Sequence, residues 1–359
     1  MPVARYNGRV DKANERRLPA RIEIGPTDKT FASGLLLEMV GALRRSTPGD
    51  LIALTTPRDS IAEDLDVWSR LTGHGIVGRS DENGATRWVI RHGTAGADPQ
   101  EVRPLGTRIW LYTNFDCNLA CDYCCVRSSP TARRRELGLT RVQRIVREAR
   151  PLGVAEFFVT GGEPFLLPDI ADIVLACVEA APVTLLTNGM LFRGRRGSEL
   201  RRLPPDRVTL QISLDSPTPE LHDAHRGAGA WQRAFEGIQL AREYGFRVRL
   251  ASTVTSDAQA AAFQQFLDQH GVAEADRVIR RVALRGVSTT GVALSQSDLV
   301  PEMTITSDGV YWHPVGAEDL DMLITTEIFP LEDALASMTR AFEREREHAG
   351  RLAQVFRCA

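Results

Sequence analysis

The chain has 359 residues, of which 43% are hydrophobic and 25% charged, and it contains six cysteines. These proportions are typical of a globular protein of two or three domains rather than of a disordered or fibrous chain. The net charge of −2 argues against a nucleic-acid-binding protein, which usually carries a large basic excess. No apolar run is long enough to cross a membrane, and the cysteines do not form a secreted disulfide framework, so we expect a cytoplasmic protein without membrane attachment.

The first 100 residues contain short strands and helices in alternation. Strands are predicted at 21–24, 50–55, 73–78 and 86–91, and helices at 31–45 and 59–71. The order βαβαββ predicts a small two-layer α+β domain over residues 1–100. A segment rich in glycine, proline and small polar residues follows at 93–106 and is typical of a linker.

Strands and helices then alternate regularly over residues 101–290. Strands are predicted at 107–112, 156–160, 183–187, 208–214, 247–254 and 278–284, with helices at 142–150, 170–180, 231–244 and 258–270. Repeated βα units of this size predict an α/β domain with a parallel sheet, closed or partly closed into a TIM-type (βα)6 barrel. Residues 291–359 differ, because they predict a β-hairpin at 303–313 and a helix at 331–352; we expect a separate C-terminal cap.

Three cysteines in the spacing CxxxCxxC, Cys117, Cys121 and Cys124, directly follow the predicted strand at 107–112. Thiolates this close together suit a soft metal ion or an iron–sulfur cluster. A closed zinc site or a ferredoxin cluster takes four protein ligands, so three thiolates on a four-iron cluster would leave one iron open. The alternative is a zinc site completed by His222 or His225.

Further motifs follow the ends of the next predicted strands. They are Gly161-Gly162-Glu163-Pro164, Thr187-Asn188-Gly189 and Ser213-Leu214-Asp215, followed by His225-Arg226-Gly227. The carboxyl ends of parallel strands in a βα barrel meet at one face, and catalytic loops gather there. The placement of the motifs therefore predicts one active site.

With these motifs in this order, the chain resembles the radical S-adenosylmethionine (SAM) enzymes. The resemblance implies that the three cysteines bind a [4Fe–4S] cluster and that SAM chelates its open iron. It also implies that an electron from the cluster cleaves SAM to a 5′-deoxyadenosyl radical, which abstracts a hydrogen atom from the substrate. A flavodoxin- or ferredoxin-type reductant is the implied electron donor, and we expect Arg133, Arg134 and Arg135 to attract it, unless they form an ordinary solvated helix face.

The same resemblance assigns contacts with the methionine part of SAM. Gly161 and Gly162 would let the backbone approach it closely. Glu163, followed by Pro164, would accept a hydrogen bond from its ammonium group.

Five further residues are expected around the rest of SAM. Ser213 and Asp215 would hold the ribose hydroxyls, although Asp215 is also placed to cap the next helix. Arg226 would bind the SAM carboxylate, with a solvent-exposed arginine as the alternative. Tyr123 would pack on the adenine, and Asn188 would add a polar contact.

The remaining cysteines are too few and too scattered for a second cluster. Cys125 is adjacent to a ligand, Cys177 lies in an apolar helix pattern and is expected in the core, and Cys358 lies in the tail. The segment around the hairpin resembles the SPASM/twitch-like caps that hold an auxiliary cluster, in which a cysteine often stands near the position of His313. We expect one cluster per chain, with Cys358 as a candidate catalytic residue that returns a hydrogen atom to the substrate radical.

Residues 1–100 resemble the TusA-like sulfur carriers in the segments TTPRD, WSRLTGH and WVIR. Those carriers use a cysteine near their first helix, whereas the first cysteine of this chain is Cys117. Persulfide transfer by this domain is therefore excluded.

These observations together predict hydrogen abstraction from an unidentified small-molecule or peptide substrate in a tailoring or biosynthetic pathway. A sulfur-inserting or methylthio-transferring radical SAM enzyme is the first alternative, suggested by the N-terminal resemblance. A zinc-stabilised binding protein on a degenerate barrel is the second.

Overall fold

The computed structural model describes residues 19–47, 49–58, 61–72, 74–82, 84–93 and 104–355. The chain divides into two units, Met1–Arg103 and Pro104–Ala359. Most of the predicted linker at 93–106 lies outside the described residues, and so does Cys358. In the part that is described, no helix is both long and apolar enough to cross a membrane.

The first unit, as far as it is described, is a four-stranded sheet with two helices. Its elements are β1 (Ile22–Ile24), α1 (Leu36–Arg44), β2 (Leu51–Thr56), α2 (Ile61–Thr72), β3 (Gly75–Glu82) and β4 (Ala85–Arg91). The strands lie in the order β1-β2-β4-β3, with β1 parallel to β2 and the other pairs antiparallel. Apolar side chains of both helices pack on one face of this sheet, against alternate strand residues such as Ile24, Leu54 and Trp88.

The second unit begins with six strands that are each parallel to the next. The strands are β5 (Arg108–Tyr112), β6 (Glu156–Thr160), β7 (Val183–Thr187), β8 (Val208–Ser213), β9 (Arg247–Val254) and β10 (Arg277–Arg281). The helices between them are α3 (Leu139–Ala149), α4 (Ile170–Val178), α5 (Gly194–Arg201), α6 (Pro219–Arg226), α7 (Ala230–Glu243) and α8 (Asp257–Gln269). The predicted α/β class with a mostly parallel sheet is confirmed.

Residues of these strands alternate between two faces of the sheet. Ile109, Leu111, Phe157 and Val159 pack together with helix residues such as Val142 in one buried core. The alternate residues, from Arg108, Trp110 and Tyr112 on β5 to Val278 and Arg280 on β10, form the opposite face, which we call the inner face.

The C-terminal segment continues the same sheet. It contains β11 (Thr304–Thr306), β12 (Gly309–Tyr311), β13 (Leu323–Thr325) and α9 (Leu331–Val355). β11 pairs in parallel with β5, and β12 and β13 follow antiparallel, so the described sheet has nine strands. These strands share backbone hydrogen bonds with β5 of the parallel sheet, and the division into a C-terminal cap at 291–359 stays a prediction.

The segment after β10 reaches the loop after β5, although four strands lie between these two in the sheet. The N–H of Val287 donates to the carbonyl oxygen of Cys124 at 3.0 Å. A flat sheet would hold β5 and β10 about 24 Å apart, because neighbouring strands are about 4.8 Å apart. The contact favours a sheet that curves around its inner face, as a partial (βα)6 barrel does, and the barrel itself stays a prediction.

We expect Leu111→Ala to lower the free energy of unfolding by about 2–5 kcal/mol, because truncating a fully buried leucine leaves a cavity. Leu320→Ala is the control: Leu320 is 84% exposed, and its truncation should change stability by less than about 0.5 kcal/mol. Urea denaturation measures both. A loss at Leu111 no larger than at Leu320 would contradict the packing described.

Candidate functional site

The three predicted cluster ligands lie in one loop that follows β5. The N–H of Cys117 donates to the carbonyl oxygen of Ser129 at 3.2 Å, which closes the loop on itself. Within the loop, the N–H of Leu119 donates to Cys117 Sγ at 3.4 Å, and the N–H of Cys124 donates to the carbonyl oxygen of Cys121 at 3.2 Å. The shape of the loop therefore rests on backbone hydrogen bonds.

The thiols of this loop need a positive charge beside them to act as ligands. Burial and, as a smaller cause, the nearby carboxylate of Glu163 together raise the pKa of Cys117 to about 12. Burial also raises the pKa of Cys121, against the opposing charge of Arg226. Metals bind the thiolate form, and iron ions supply the charge that stabilises it. Cys117 is buried, and Cys121 and Cys124 are partly buried. In type and number these three thiols match the protein ligands of a [4Fe–4S] cluster with one open iron.

The histidines of the alternative zinc site already have partners. His222 Nδ1 accepts the N–H of Asp215 at 3.1 Å, and burial lowers the pKa of His222 to about 4. His225 Nδ1 lies 3.0 Å from both carboxylate oxygens of Asp122. Over the ranges that the structure describes, no group of three or more histidine, cysteine, aspartate or glutamate side chains is arranged to hold a metal ion, neither the cysteines with these histidines nor the three loop cysteines by themselves.

The other cysteines have different surroundings. Cys177 is fully buried in the apolar core on α4, and its predicted core position is confirmed. Cys125 is partly buried, and burial raises its pKa to about 12. Cys358 lies outside the described residues, so its catalytic role and the single cluster stay predictions.

The two glycines after β6 press against the start of the cysteine loop. The N–H of Gly162 donates to the carbonyl oxygen of Asn114 at 2.9 Å, and the N–H of Glu163 donates to that of Asp116 at 3.0 Å. A Cβ on Gly161 would lie 2.1 Å from Asn114 Oδ1, and one on Gly162 would lie 2.2 Å from the carbonyl oxygen of Asp116. Only glycine fits at either position, because these distances are far shorter than van der Waals contact. From the sequence, we expect these glycines because SAM must approach the backbone. The structure gives a second reason, which is the close packing of the cysteine loop against the residues after β6.

Glu163 is fully buried, and its carboxylate accepts three hydrogen bonds from the protein. Oε1 accepts from the Thr187 hydroxyl at 2.8 Å and from the N–H of Phe165 at 3.1 Å, and Oε2 accepts from the N–H of Asn188 at 2.8 Å. Burial raises the pKa of Glu163 in spite of these donors. A carboxylate has about four acceptor positions, so one position on Oε2 is left for the predicted SAM ammonium group.

Pro164 and Asn188 position the surroundings of the cysteine loop. Pro164 is buried and begins the single helical turn Pro164–Leu166. Asn188 Nδ2 donates to Asn118 Oδ1, within the cysteine loop, at 2.8 Å, and Asn188 Oδ1 accepts the N–H of Met190 at 3.0 Å. The side chain of Asn188 thus joins the end of β7 to the loop.

Asp215, Arg226 and Tyr123 form one buried cluster beside the cysteine loop. The Asp215 carboxylate accepts from the Tyr123 hydroxyl, from Nε and Nη2 of Arg226, and from the N–H of Thr253 at 3.0 Å. Burial alone would raise the pKa of Asp215, but the charge of Arg226 and these hydrogen bonds hold it below its ordinary value.

These contacts bear on the predicted SAM contacts. Asp215 has no acceptor position left for a ribose hydroxyl in this arrangement, whereas Ser213 ends β8 half-buried. The Arg226 side chain is 11% exposed, so it is not a solvent-exposed arginine. Its Nη1 makes no hydrogen bond with the described residues and is left for the SAM carboxylate. The Tyr123 ring lies 5.2 Å from that of His225, centroid to centroid, and its adenine contact stays a prediction.

Two residues without a predicted role hold the site together. Asn114 is fully buried, and its Nδ2 donates to the carbonyl oxygens of Asp116 and Glu163 at 3.0 and 3.1 Å. Thr187 donates its hydroxyl to Glu163. Both belong to a Thr-Asn pair at the end of an apolar strand, at 113–114 and 187–188. That repeated pair is the signal by which sequence reasoning could have found them.

One arginine of the predicted basic surface forms an ion pair with a buried carboxylate. Arg135 pairs at 2.6 Å with Glu318, whose side chain is 8% exposed. Arg134 pairs with Glu136 at 2.9 Å at the surface, and Arg133 is exposed. Of these three arginines, Arg133 and Arg134 are therefore the ones that remain exposed.

Residues 111–257 match the family model described as the radical SAM superfamily. The match covers the three cysteines and every motif described above. The chain therefore carries a radical SAM enzyme domain, whose cofactors are SAM and a [4Fe–4S] cluster.

Relatives are matched over only part of their own length. The chain is 35% identical over 153 residues to the antilisterial bacteriocin subtilosin biosynthesis protein AlbA of Bacillus subtilis, covering 40% of this chain and 33% of AlbA. It is 35% identical over 139 residues to a probable GTP 3′,8-cyclase of Archaeoglobus fulgidus, covering 39% of this chain and 46% of the cyclase. The chain thus spans between a third and a half of these proteins. The solved structure of anSMEcpe with bound AdoMet has the same fold, with a TM-score of 0.52 and 14% identity over 66% of this chain and 82% of that chain.

We expect Gly162→Ala to bind much less iron than the wild type after anaerobic reconstitution. The added Cβ would displace the backbone of Asp116, next to the predicted ligand Cys117. Gly75→Ala is the control, because its Cβ would meet no atom closer than 3.9 Å. Iron and sulfide are counted per chain, and equal contents in the two variants would contradict the role of this contact.

Proposed function

We propose that the protein is a radical SAM enzyme that abstracts a hydrogen atom from a peptide or small molecule in a tailoring or biosynthetic pathway. The observation that supports it most is the packing of a three-cysteine loop against Gly161 and Gly162, beside the buried Glu163 carboxylate. When bound, the cluster and SAM supply the electron and the 5′-deoxyadenosyl radical for this step. The residues of the chain hold the loop and orient the cofactor.

In this proposal Cys117, Cys121 and Cys124 are the iron ligands, and three thiolates leave one iron for SAM. The open acceptor position of Glu163 and the Nη1 donors of Arg226 match the ammonium and carboxylate groups of SAM in charge. Each of these two side chains is fixed by other hydrogen bonds, so neither has to be ordered when SAM binds.

The names of related proteins support both substrate classes. AlbA is named for the biosynthesis of a bacteriocin, subtilosin. anSMEcpe has also been solved with AdoMet and the Cp18Cys peptide bound, with a TM-score of 0.50 and 13% identity to this chain. The cyclase is named for GTP, a small molecule. A peptide or a small molecule therefore remains the proposed substrate.

The two ends of the chain belong to the proposal as well. We propose a TusA-like domain over residues 1–100 and a SPASM/twitch-like segment over 291–359. In the sequence they precede and follow the proposed barrel at 101–290. Because no cysteine precedes Cys117, the N-terminal domain would dock a substrate, a carrier-bound substrate or a second protomer rather than transfer sulfur. The sulfur-inserting alternative loses its main support for the same reason.

A flavodoxin- or ferredoxin-type reductant is the proposed electron donor. Arg133 and Arg134 lie shortly after the cysteine loop and are exposed. A positive surface beside a cluster attracts an acidic partner, and salt weakens the attraction.

We expect the anaerobically reconstituted protein to hold about four irons per chain and to release 5′-deoxyadenosine with dithionite and SAM. Cys121→Ala should lose both properties, because it removes a ligand. Cys125→Ala, beside the ligand Cys124, should keep its iron. Tightly bound zinc in place of iron would contradict the proposal.

Reversing charge at Arg133 and Arg134 together, to Glu, should slow turnover supported by flavodoxin, because the reductant loses its docking surface. Turnover supported by dithionite, a small molecule, should not change. Arg242→Glu, at an exposed arginine on α7, is the control. Equal losses with both reductants would argue against docking at this surface.

A further inference from the structure

Among the described residues of the inner face, some arginines are paired with carboxylates and others are not. The unpaired ones could bind an anionic ligand. Arg108 bridges Glu156 at 3.4 Å and Glu302 at 3.1 Å, so its charge is balanced. Arg249, next to Gln211 on the neighbouring strand, makes no ion pair or hydrogen bond with the described residues, and its Nε is buried without a partner. A buried donor without an acceptor costs free energy, and an anionic ligand would remove that cost.

Arg280 is a second inner-face cation, near the carboxyl end of β10. Its neighbour Ile279 packs in the helix-side core, so Arg280 faces the other way. It lies opposite Thr253 on β9, whose N–H donates to the Asp215 carboxylate. Arg280 thus stands at the level of the Asp215 cluster, where we propose the cofactor. It is exposed and makes no hydrogen bond or ion pair with any residue in the described part of the chain.

Two polar side chains lie close enough to Arg280 to be affected by its charge. Burial raises the pKa of the Tyr112 hydroxyl, and the charge of Arg280 opposes that rise. Burial and, as the smaller cause, the charge of Arg280 together lower the pKa of His313 to about 4. Arg285, which follows β10, pairs with Asp319, which follows His313, at 3.0 Å. The segments that carry Arg280 and His313 therefore meet near Tyr112, at the end of β5.

His313 is a neutral donor at neutral pH. Its Nδ1 accepts the N–H of Val315 at 3.2 Å, so the ring proton is on Nε2. The Tyr112 hydroxyl donates to the carbonyl oxygen of Pro314 at 2.9 Å. The guanidinium of Arg280 and the Nε2–H of His313 are therefore donors that no other described residue uses.

The acidic side chains that follow His313 do not balance Arg280, because other arginines bind them. Glu318 pairs with Arg135 at 2.6 Å, and Asp319 and Asp321 pair with Arg285 at 3.0 and 2.7 Å. The guanidinium of Arg280 is left without a counterion among the described residues.

We propose that Arg280 and His313 bind a carboxylate of the substrate at the end of the inner face beside the cysteine loop. The inference rests on the proposed function, which places the substrate on this face, and it narrows the substrate to an acid. A guanidinium binds both oxygens of a carboxylate, and the imidazole Nε2–H adds a third donor. An acidic side chain or terminus of a peptide and a small organic acid offer the same group.

The test uses the reconstituted protein with SAM under anaerobic conditions and measures which ligands it retains. One probe is a mixture of end-capped tetrapeptides with Asp or Glu at one position, matched to the same peptides with Asn or Gln. The other is a mixture of small monocarboxylic acids, matched to their primary amides. Ultrafiltration and mass spectrometry give the ratio of acid to amide retained, and the mixture that shows a preference identifies the source of the carboxylate.

We expect the wild type to retain acids over amides by about tenfold to a hundredfold, the worth of charge-assisted hydrogen bonds. Arg280→Gln should remove the preference, Arg280→Lys should keep part of it, and His313→Gln should weaken it. Arg281→Gln is the control, because Arg281 pairs with Asp257 at the surface. Equal retention of acids and amides by the wild type, retention of neither, or a preference that survives in Arg280→Gln would overturn the inference.

Iron and sulfide are counted on every sample, which separates the two proposals. A wild type without a cluster would refute the proposed function. A cluster-bearing wild type without a preference for acids would refute the carboxylate site alone. A variant that loses its cluster is replaced by Arg280→Lys, in which the positive charge and the length of the side chain are largely kept.

Discussion

The contact between Gly162 and the carbonyl oxygen of Asp116 fixes the position of the cysteine loop relative to β6. At a separation where no Cβ fits, the two segments have one relative arrangement, held by a backbone hydrogen bond on each side. Cys117 follows Asp116 directly, and Glu163 follows Gly162 directly. The same contact therefore positions the first thiol and turns the Glu163 carboxylate towards the end of β7.

Two buried carboxylates beside the thiols are stabilised in different ways. Glu163 receives hydrogen bonds from neutral groups, so its charge remains and raises the pKa of Cys117. Asp215 is balanced by Arg226, whose charge in turn opposes the rise in the pKa of Cys121. The protein thus surrounds the loop with fixed charges that do not by themselves favour thiolates. A cluster that supplies positive charge completes this arrangement.

The sequence predicted the features that depend on local patterns. Strand and helix positions follow from hydrophobic periodicity, and most predicted bounds lie within a few residues of the observed ones. The cysteine run and the GGEP segment were recognised because their residues are adjacent in the chain. The packing of Gly162 on Asp116 was not predictable, because it joins segments about 46 residues apart that only the sheet brings together.

The sequence also did not predict which side chains pair when they lie far apart in the chain. Arg226 is buried in an ion pair with Asp215, and Arg135 forms an ion pair with Glu318. Both pairs depend on tertiary contacts, which hydrophobic periodicity does not reveal. The pairing of β11 with β5 likewise depends on the course of the whole chain, and nothing in the sequence indicated it. Nothing in the sequence around Arg280 distinguishes it from other arginines. What distinguishes it is that no described residue accepts a hydrogen bond from it.

In the proposed function, the cysteine loop holds a four-iron cluster with one iron open to SAM. The most direct test is the electron paramagnetic resonance spectrum of the dithionite-reduced protein before and after SAM is added. The account predicts a reduced [4Fe–4S] signal that changes when SAM binds the open iron, because the ligand of that iron changes. A cluster signal that SAM leaves unchanged, or a reduced protein without a cluster signal, would contradict it.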